Sequence, residues 1–129
     1  MILDTSALVA VLFHETERAQ YLELIAGAER CLLSAANFVE LSIILDRQAG
    51  AEALIECDLF LRRARVAIHS VTVEQAYVAR QAFHDFGKGR HPAGLNFGDC
   101  FSYALAKATG EPLLFKGRDF SMTDVVSAL

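Results

Sequence analysis

The chain has 129 residues, 53% of them apolar, which is enough for one domain with its own core. A formal charge of −4 argues against a broad basic surface for nucleic acid, and no apolar run reaches the ~18 residues of a membrane span. Cys31, Cys57 and Cys100 are odd in number and widely spaced, and no histidine shares a ligand spacing with them. They read as reduced core thiols of a cytoplasmic protein, not as a disulfide framework or a zinc site.

Met1-Ile2-Leu3 is a short apolar strand. Asp4-Thr5-Ser6 follow and lead into a helix from about Ala7 to Phe13. This early apolar stretch lacks a basic leader, so it is not a signal peptide. Asp4 stands at the carboxyl end of a strand, where ligands bind in open parallel sheets. It is equally suited to cap the helix, unless Ser6 or Thr5 does so. Glu17 to Ala28 reads as a second helix and Arg30 to Leu33 as a second strand. Ser34 opens a third helix that stops at Gly50.

Glu40 lies within that third helix, with Ala36, Ile43 and Ile44 as its i−4, i+3 and i+4 neighbours. A carboxylate on an apolar face calls for a cation or a donor nearby. Ala51 to Arg65 is a fourth helix, whose Arg62, Arg63 and Arg65 oppose the dipole at its end. Val66 to His69 is a third strand. Thr72 and Gln75 predict a capping box for a fifth helix that ends near Gly87.

Gly87 to Gly94 is a flexible basic loop carrying Lys88, Arg90 and His91. It is either a solvated connection or a phosphate-positioning element. Asn96 then caps a helix running to about Thr109, with Asp99 in its first turn. After Gly110 and Pro112 come a strand, Leu113 to Phe115, and then Lys116-Gly117-Arg118-Asp119. Asp124 precedes a last strand around Val125 to Leu129. Alternating strands and helices without repeats or linkers predict a single α/β domain over residues 1–129. Its central sheet is mostly parallel, with about five strands.

Parallel strands bring their carboxyl ends to one edge, which places Asp4 and Asp119 side by side. Glu40 and Asp99 come from helices that start at that same edge. Four carboxylates in one crevice need cations to stay ionised. Without these four acids the rest of the chain is formally neutral. An all-oxygen donor set selects magnesium, with manganese as the alternative, over zinc. Such sites suit in-line displacement at phosphorus. No Ser/His/Asp arrangement, P-loop or G-x-G-x-x-G motif supports acyl transfer or nucleotide-driven chemistry.

The segments Ile2-Leu3-Asp4-Thr5-Ser6-Ala7-Leu8, Glu40, Leu95-Asn96-Phe97-Gly98-Asp99-Cys100 and Leu113-Leu114-Phe115-Lys116-Gly117-Arg118-Asp119-Phe120, with Thr123-Asp124, occur in order along the whole chain. In this pattern the sequence resembles PIN-domain ribonucleases, specifically the VapC toxins of type II toxin–antitoxin pairs. The resemblance implies a three-layer α/β/α fold and magnesium-dependent endonucleolytic cleavage of structured RNA, often tRNA or rRNA. It also implies dimerisation and inhibition by a small VapB antitoxin.

Carried onto this chain, the resemblance makes Asp4, Glu40 and Asp99 the core metal ligands and Asp119 the fourth acid. Asp124 acts through water in place of Asp119 or beside it. Ser6 and Asn96 match small polar positions that orient the ligands. Asp99, with Glu40 or Asp119, would position the attacking water, and Lys88 and Arg90 would hold phosphate. Leu8, Val11, Leu12 and Phe13, with the second helix, are candidates for the antitoxin groove. The competing readings are a metal-dependent DNA nuclease or phosphatase on the same site, and a non-catalytic regulatory module whose acids only cap helices.

Overall fold

The computed structural model of the protein describes residues 1–129. In chain order the elements are β1 (Ile2–Leu3), α1 (Thr5–Leu12), α2 (Arg18–Gly27), β2 (Cys31–Ser34), α3 (Ala35–Ala49) and α4 (Ala51–Arg63). They continue with β3 (Val66–His69), α5 (Val73–Phe86), α6 (Phe97–Thr109), β4 (Leu113–Leu114) and a 3₁₀ turn (Phe120–Met122). The strands form one sheet in the order β3-β2-β1-β4, and every pairing is parallel.

Adjacent residues along each central strand face opposite ways, which builds two cores. Ile2, Leu32 and Leu113 point to the face covered by α5 and α6, where Ala82, Leu95, Ala104 and Leu105 pack. Leu3, Leu33 and Leu114 point to the other face, against α1, α2, α3 and α4. Because both faces are covered, β2 is buried along its whole length. The edge strand β3 is short and half open.

The chain moves from β1 outward to β2 and β3, then returns to β4 on the other side of β1. The strand order therefore reverses at β1, and such a reversal opens a crevice at the carboxyl ends of the strands. Asp4 N–H donates to Leu114 O (2.9 Å), which fixes that end of β1 to β4.

The sheet has four strands, one fewer than the periodicity suggested. The segment from Val125 to Leu129 contributes a single bridge, Leu113 to Ser127, held by Leu113 N–H on Val126 O and Ala128 N–H on Leu113 O. Val126 and Leu129 are exposed at 66% and 59%, so no buried face extends the pairing. Helix α1 begins at Thr5, earlier than expected, because Asp4 is its cap. Helix α4 ends at Arg63, and Arg65 follows with a φ of 55°.

Leu8 and Val11, expected to face an antitoxin, are core residues at 0% and 2% exposure. Leu12 and Phe13 are half-buried against the same core. This face of α1 is occupied by the chain itself. The basic loop is also not free. Lys88 N–H donates to Leu95 O, Leu95 N–H to Phe86 O, and Arg90 and His91 N–H both to Gly87 O. All three cysteines are buried and unpaired. No helix is long and apolar enough to cross a membrane.

Leu105 is fully buried beneath the sheet, whereas Ile55 on α4 is 62% exposed. Leu105→Ala is expected to cost ~2–5 kcal/mol in urea unfolding. Ile55→Ala is expected to stay within about 0.5 kcal/mol of the wild type. Equal effects would contradict the assignment of the core.

Candidate active site

Asp4 leaves β1 in extended conformation and caps α1. Its Oδ2 accepts the Ser6 N–H (3.0 Å) and the Ser6 hydroxyl (2.6 Å). Its Oδ1 accepts the Ser102 hydroxyl of α6 (2.6 Å). The side chain is 3% exposed, so these three donors stand in for water. Of the three capping candidates that the sequence offered, Asp4, Thr5 and Ser6, the cap is Asp4 itself. Ser6 also accepts the Lys116 N–H (3.0 Å), tying the start of α1 to the segment after β4.

Glu40 is half-buried on α3. Its Oε1 accepts the Thr5 hydroxyl and the Asn37 Nδ2–H. Asn37 is fully buried and also donates from Nδ2 to Gly98 O (2.9 Å), which locks α3 to the first turn of α6. The Ser102 hydroxyl lies 3.0 Å from Asn37 Oδ1, so its single proton is shared between Asn37 and Asp4. The face around Glu40 is apolar, as expected, but it is partly open to solvent. Val39 and Ile43 are 53% and 48% exposed. With Ala36, Ile44, Phe97 and Phe101 they line an open groove of about 370 Å³ beside the carboxylate.

Asp99 and Asn96 form a reciprocal capping box. Asp99 N–H donates to Asn96 Oδ1 (2.9 Å) and Asn96 N–H to Asp99 Oδ2 (3.0 Å). Burial pushes the Asp99 carboxyl up to about 7. The Asn96 N–H opposes the rise, and the nearby charges of Asp4, Asp119 and Glu40 add to it. Asp99 thus senses all three of the other expected acids. Asp119 stands exposed at the start of the 3₁₀ turn, on the segment that leaves β4.

Asp124 is not brought to this group. Its carboxylate accepts the Tyr103 hydroxyl (2.7 Å) and pairs with Lys107 Nζ (2.9 Å). Those bonds hold it well below the usual carboxylate range. Lys107 lies in the last turn of α6, at the opposite end from Asp99, so Asp124 fastens the C-terminal tail to that helix. Lys88 and Arg90 are exposed on the tied loop that leads into α6.

Three residues of the site were not singled out from sequence: Thr5, Asn37 and Ser102. Each has a positional signal. Thr5 follows Asp4, Asn37 is three residues before Glu40, and Ser102 is three after Asp99. On a helix the three-residue spacing of Asn37 and Ser102 places a polar group on the same face as the acid.

The donor chemistry fits a hard divalent cation, since the four acids offer only oxygen. The raised Asp99 carboxyl fits as well, because like charges resist joint ionisation until a cation arrives. The carboxylates are neighbours without being a closed cage. No three side chains among His, Cys, Asp and Glu converge tightly enough to form a ready ligand set. Hydrogen bonds from Ser6, Ser102, Thr5, Asn37 and Asn96 fix each carboxylate in its own place.

The Asp99 shift has a consequence for stability. Its carboxyl is near 7 in the folded chain and about 3.9 when unfolded. The folded state therefore binds the extra proton, and stability falls as pH rises through that window. Asp99→Asn keeps an acceptor for the Asn96 N–H and removes the charge. In chelator, the variant is expected to gain about 1–3 kcal/mol on the wild type between pH 5 and pH 7.5. Parallel urea curves at the two pH values would refute the burial cost.

The PIN domain family model matches residues 1–126. A "Ribonuclease VapC" of Mycolicibacterium smegmatis is 49% identical over 128 residues, covering 98% of each chain. Among solved structures, the Mycobacterium tuberculosis toxin VapC20, described as cleaving the sarcin-ricin loop, superposes with a TM-score of 0.78 at 20% identity. That match covers 97% of this chain and 95% of the toxin. VapBC2 of Rickettsia felis, bound to a DNA fragment from its promoter, gives a TM-score of 0.76 at 16% identity over 98% of this chain and 94% of its own. The match runs nearly end to end, and the acids at the sheet edge come from the segments that carried the resemblance: the chain belongs to the PIN-domain family, among the VapC ribonucleases.

Proposed function

We propose that this protein is the ribonuclease toxin of a toxin–antitoxin pair, and that Asp4, Glu40, Asp99 and Asp119 hold magnesium, or manganese, for endonucleolytic hydrolysis of structured RNA. One observation carries the reading: Asp4, Glu40 and Asp119 lie near enough for their charges to bear on the half-buried Asp99 at the carboxyl edge of the sheet. The 49% identity to a VapC ribonuclease supports the same activity.

A bound divalent cation supplies Lewis-acid polarisation of the phosphate and a water of lowered pKa. The chain's own residues do the positioning. Ser6 and Ser102 fix both oxygens of Asp4, and Thr5 and Asn37 fix Oε1 of Glu40. The capping box uses Oδ2 of Asp99. Oδ1 is left to orient the attacking water together with Glu40 or Asp119. Lys88 and Arg90 are exposed on the loop entering α6 and bind flanking phosphates. Sequence-specific RNA recognition favours unpaired loops, whose bases are accessible, and tRNA or rRNA loops suit such a site.

The partners follow the same reading. The Rickettsia VapBC2 structure supports a VapB antitoxin as a partner of this chain, and we propose that it inhibits the nuclease. With Leu8 and Val11 taken up by the core, Leu12, Phe13 and the second helix are what is left of the expected groove for that partner. A homodimer is supported by the apolar surface shared by α3, α5 and α6. Val39, Ile43, Phe83 and Phe97 are all at least 40% exposed there, and a patch of this kind marks an interface.

Induction in bacteria with sequencing of RNA 5′ ends tests the function. Wild type is expected to produce new ends at a few sites. Asp4→Asn, Glu40→Gln and Asp99→Asn should each lower cleavage by about 10²-fold or more. Asp124→Asn should cleave as wild type and lose only about 1 kcal/mol of stability. Cleavage of DNA or a small phosphoester in place of RNA would move the substrate class. Equal loss in Asp124→Asn would return that residue to the site.

A further inference from the structure

A Cβ built on Gly98 would lie 1.9 Å from Glu40 Oε2, 2.4 Å from Cδ and 2.6 Å from Oε1. No real Cβ approaches heavy atoms that closely. The backbone of α6 is therefore seated directly on the Glu40 carboxylate. Gly98 occupies an ordinary helical position in the first turn, with no left-handed φ demanding glycine. An alanine there would suit the helix better, by up to about 1 kcal/mol. Neither backbone geometry nor helix propensity explains the glycine; the contact with Glu40 does.

The atoms in the way are all at the end of a flexible side chain. A methyl group at position 98 therefore forces a shift, and the Glu40 side-chain end is the part free to give. Asn37 completes the arrangement. Its Nδ2 bonds Gly98 O and Glu40 Oε1 together, so the helix and the carboxylate are held by one amide. Gly98 is also next to Asp99, so the same turn sets the distance between two of the four acids.

We propose that Gly98 is a positioning residue: the missing side chain lets the first turn of α6 close on Glu40, and this holds the Glu40 carboxylate in the crevice with Asp99. The inference rests on the metal-site reading above. It departs from the usual expectation for a glycine in a helix, because removing it is predicted to spare the fold and impair the site.

The experiment compares wild type, Gly98→Ala and a control, Gly27→Ala. A Cβ at Gly27, in the last turn of α2, meets nothing within 4 Å. Melting in chelator, and then with magnesium chloride alone, is the readout besides cleavage. Gly98→Ala should melt at or above the wild-type temperature in chelator. It should lose at least tenfold in magnesium affinity, read from the stabilisation by added metal, and at least tenfold in kcat, with KM for RNA changed less than threefold. Gly27→Ala should match wild type in all of these.

In a Glu40→Ala background, adding Gly98→Ala should change magnesium affinity no further, since the two act through one contact. If Gly98→Ala fails to fold, Glu40→Ala should restore folding by removing the clash; failure to restore it overturns the proposal. Wild-type magnesium affinity and cleavage in Gly98→Ala also overturn it. If magnesium stabilises neither wild type nor variant, the metal-site reading falls, and the proposal with it.

Discussion

Like charges must be held together against their own repulsion, and this constraint shapes one whole edge of the molecule. Asp4 is 3% exposed and Glu40 and Asp99 are half-buried, so water screens none of them fully. Their cost is met by donors fixed in the frame: Ser6 and Ser102 on Asp4, Thr5 and Asn37 on Glu40, Asn96 on Asp99. The compensation is incomplete at Asp99, whose carboxyl stays near 7. An arrangement that disfavours its own ionised state suits the cation proposed for it, and all-oxygen donors suit a hard one.

The donors come from elements far apart in sequence, so site and fold depend on each other. Ser102 on α6 reaches across to Asp4 at the end of β1, and Asn37 on α3 reaches α6 at Gly98. These bonds cross the sheet edge where the two cores meet. One core lies under α5 and α6, the other under α1 to α4. The polar network is what aligns the two helical layers at the carboxyl edge. At the far end of α6, Tyr103 and Lys107 use Asp124 for a different purpose, holding down the C-terminal tail. The same residue type joins the acidic group at one end of the helix and fastens the tail at the other.

Much of this was legible in the sequence, for definite reasons. A strand ending in Asp4 and a helix opening on Asn96 with Asp99 three residues later are local signals, and local signals survive folding. The central strands read correctly because they are buried on both faces and therefore continuously apolar. The last strand did not. Val125 to Leu129 has strand-like residues, but only a partner and a covered face turn such a run into a strand. Leu8 and Val11 carried no mark of whether their apolar face met the core or a partner. The choice between Asp119 and Asp124 was also closed to sequence, since it depends on which way each side chain turns after β4. Asn37 and Ser102 were overlooked because a buried polar residue declares itself only once its partners are in place.

The central claim is that four acids from four parts of the chain form one cation site. Titration with manganese, followed by paramagnetic broadening of backbone amide signals, tests it without substrate or antitoxin. Substoichiometric manganese should erase the signals of Asp4 to Ser6, Glu40, Gly98 to Cys100 and Gly117 to Phe120 together. Lys107 and Asp124 should keep theirs. Broadening scattered over the surface acids, or centred on Asp124, would contradict the account.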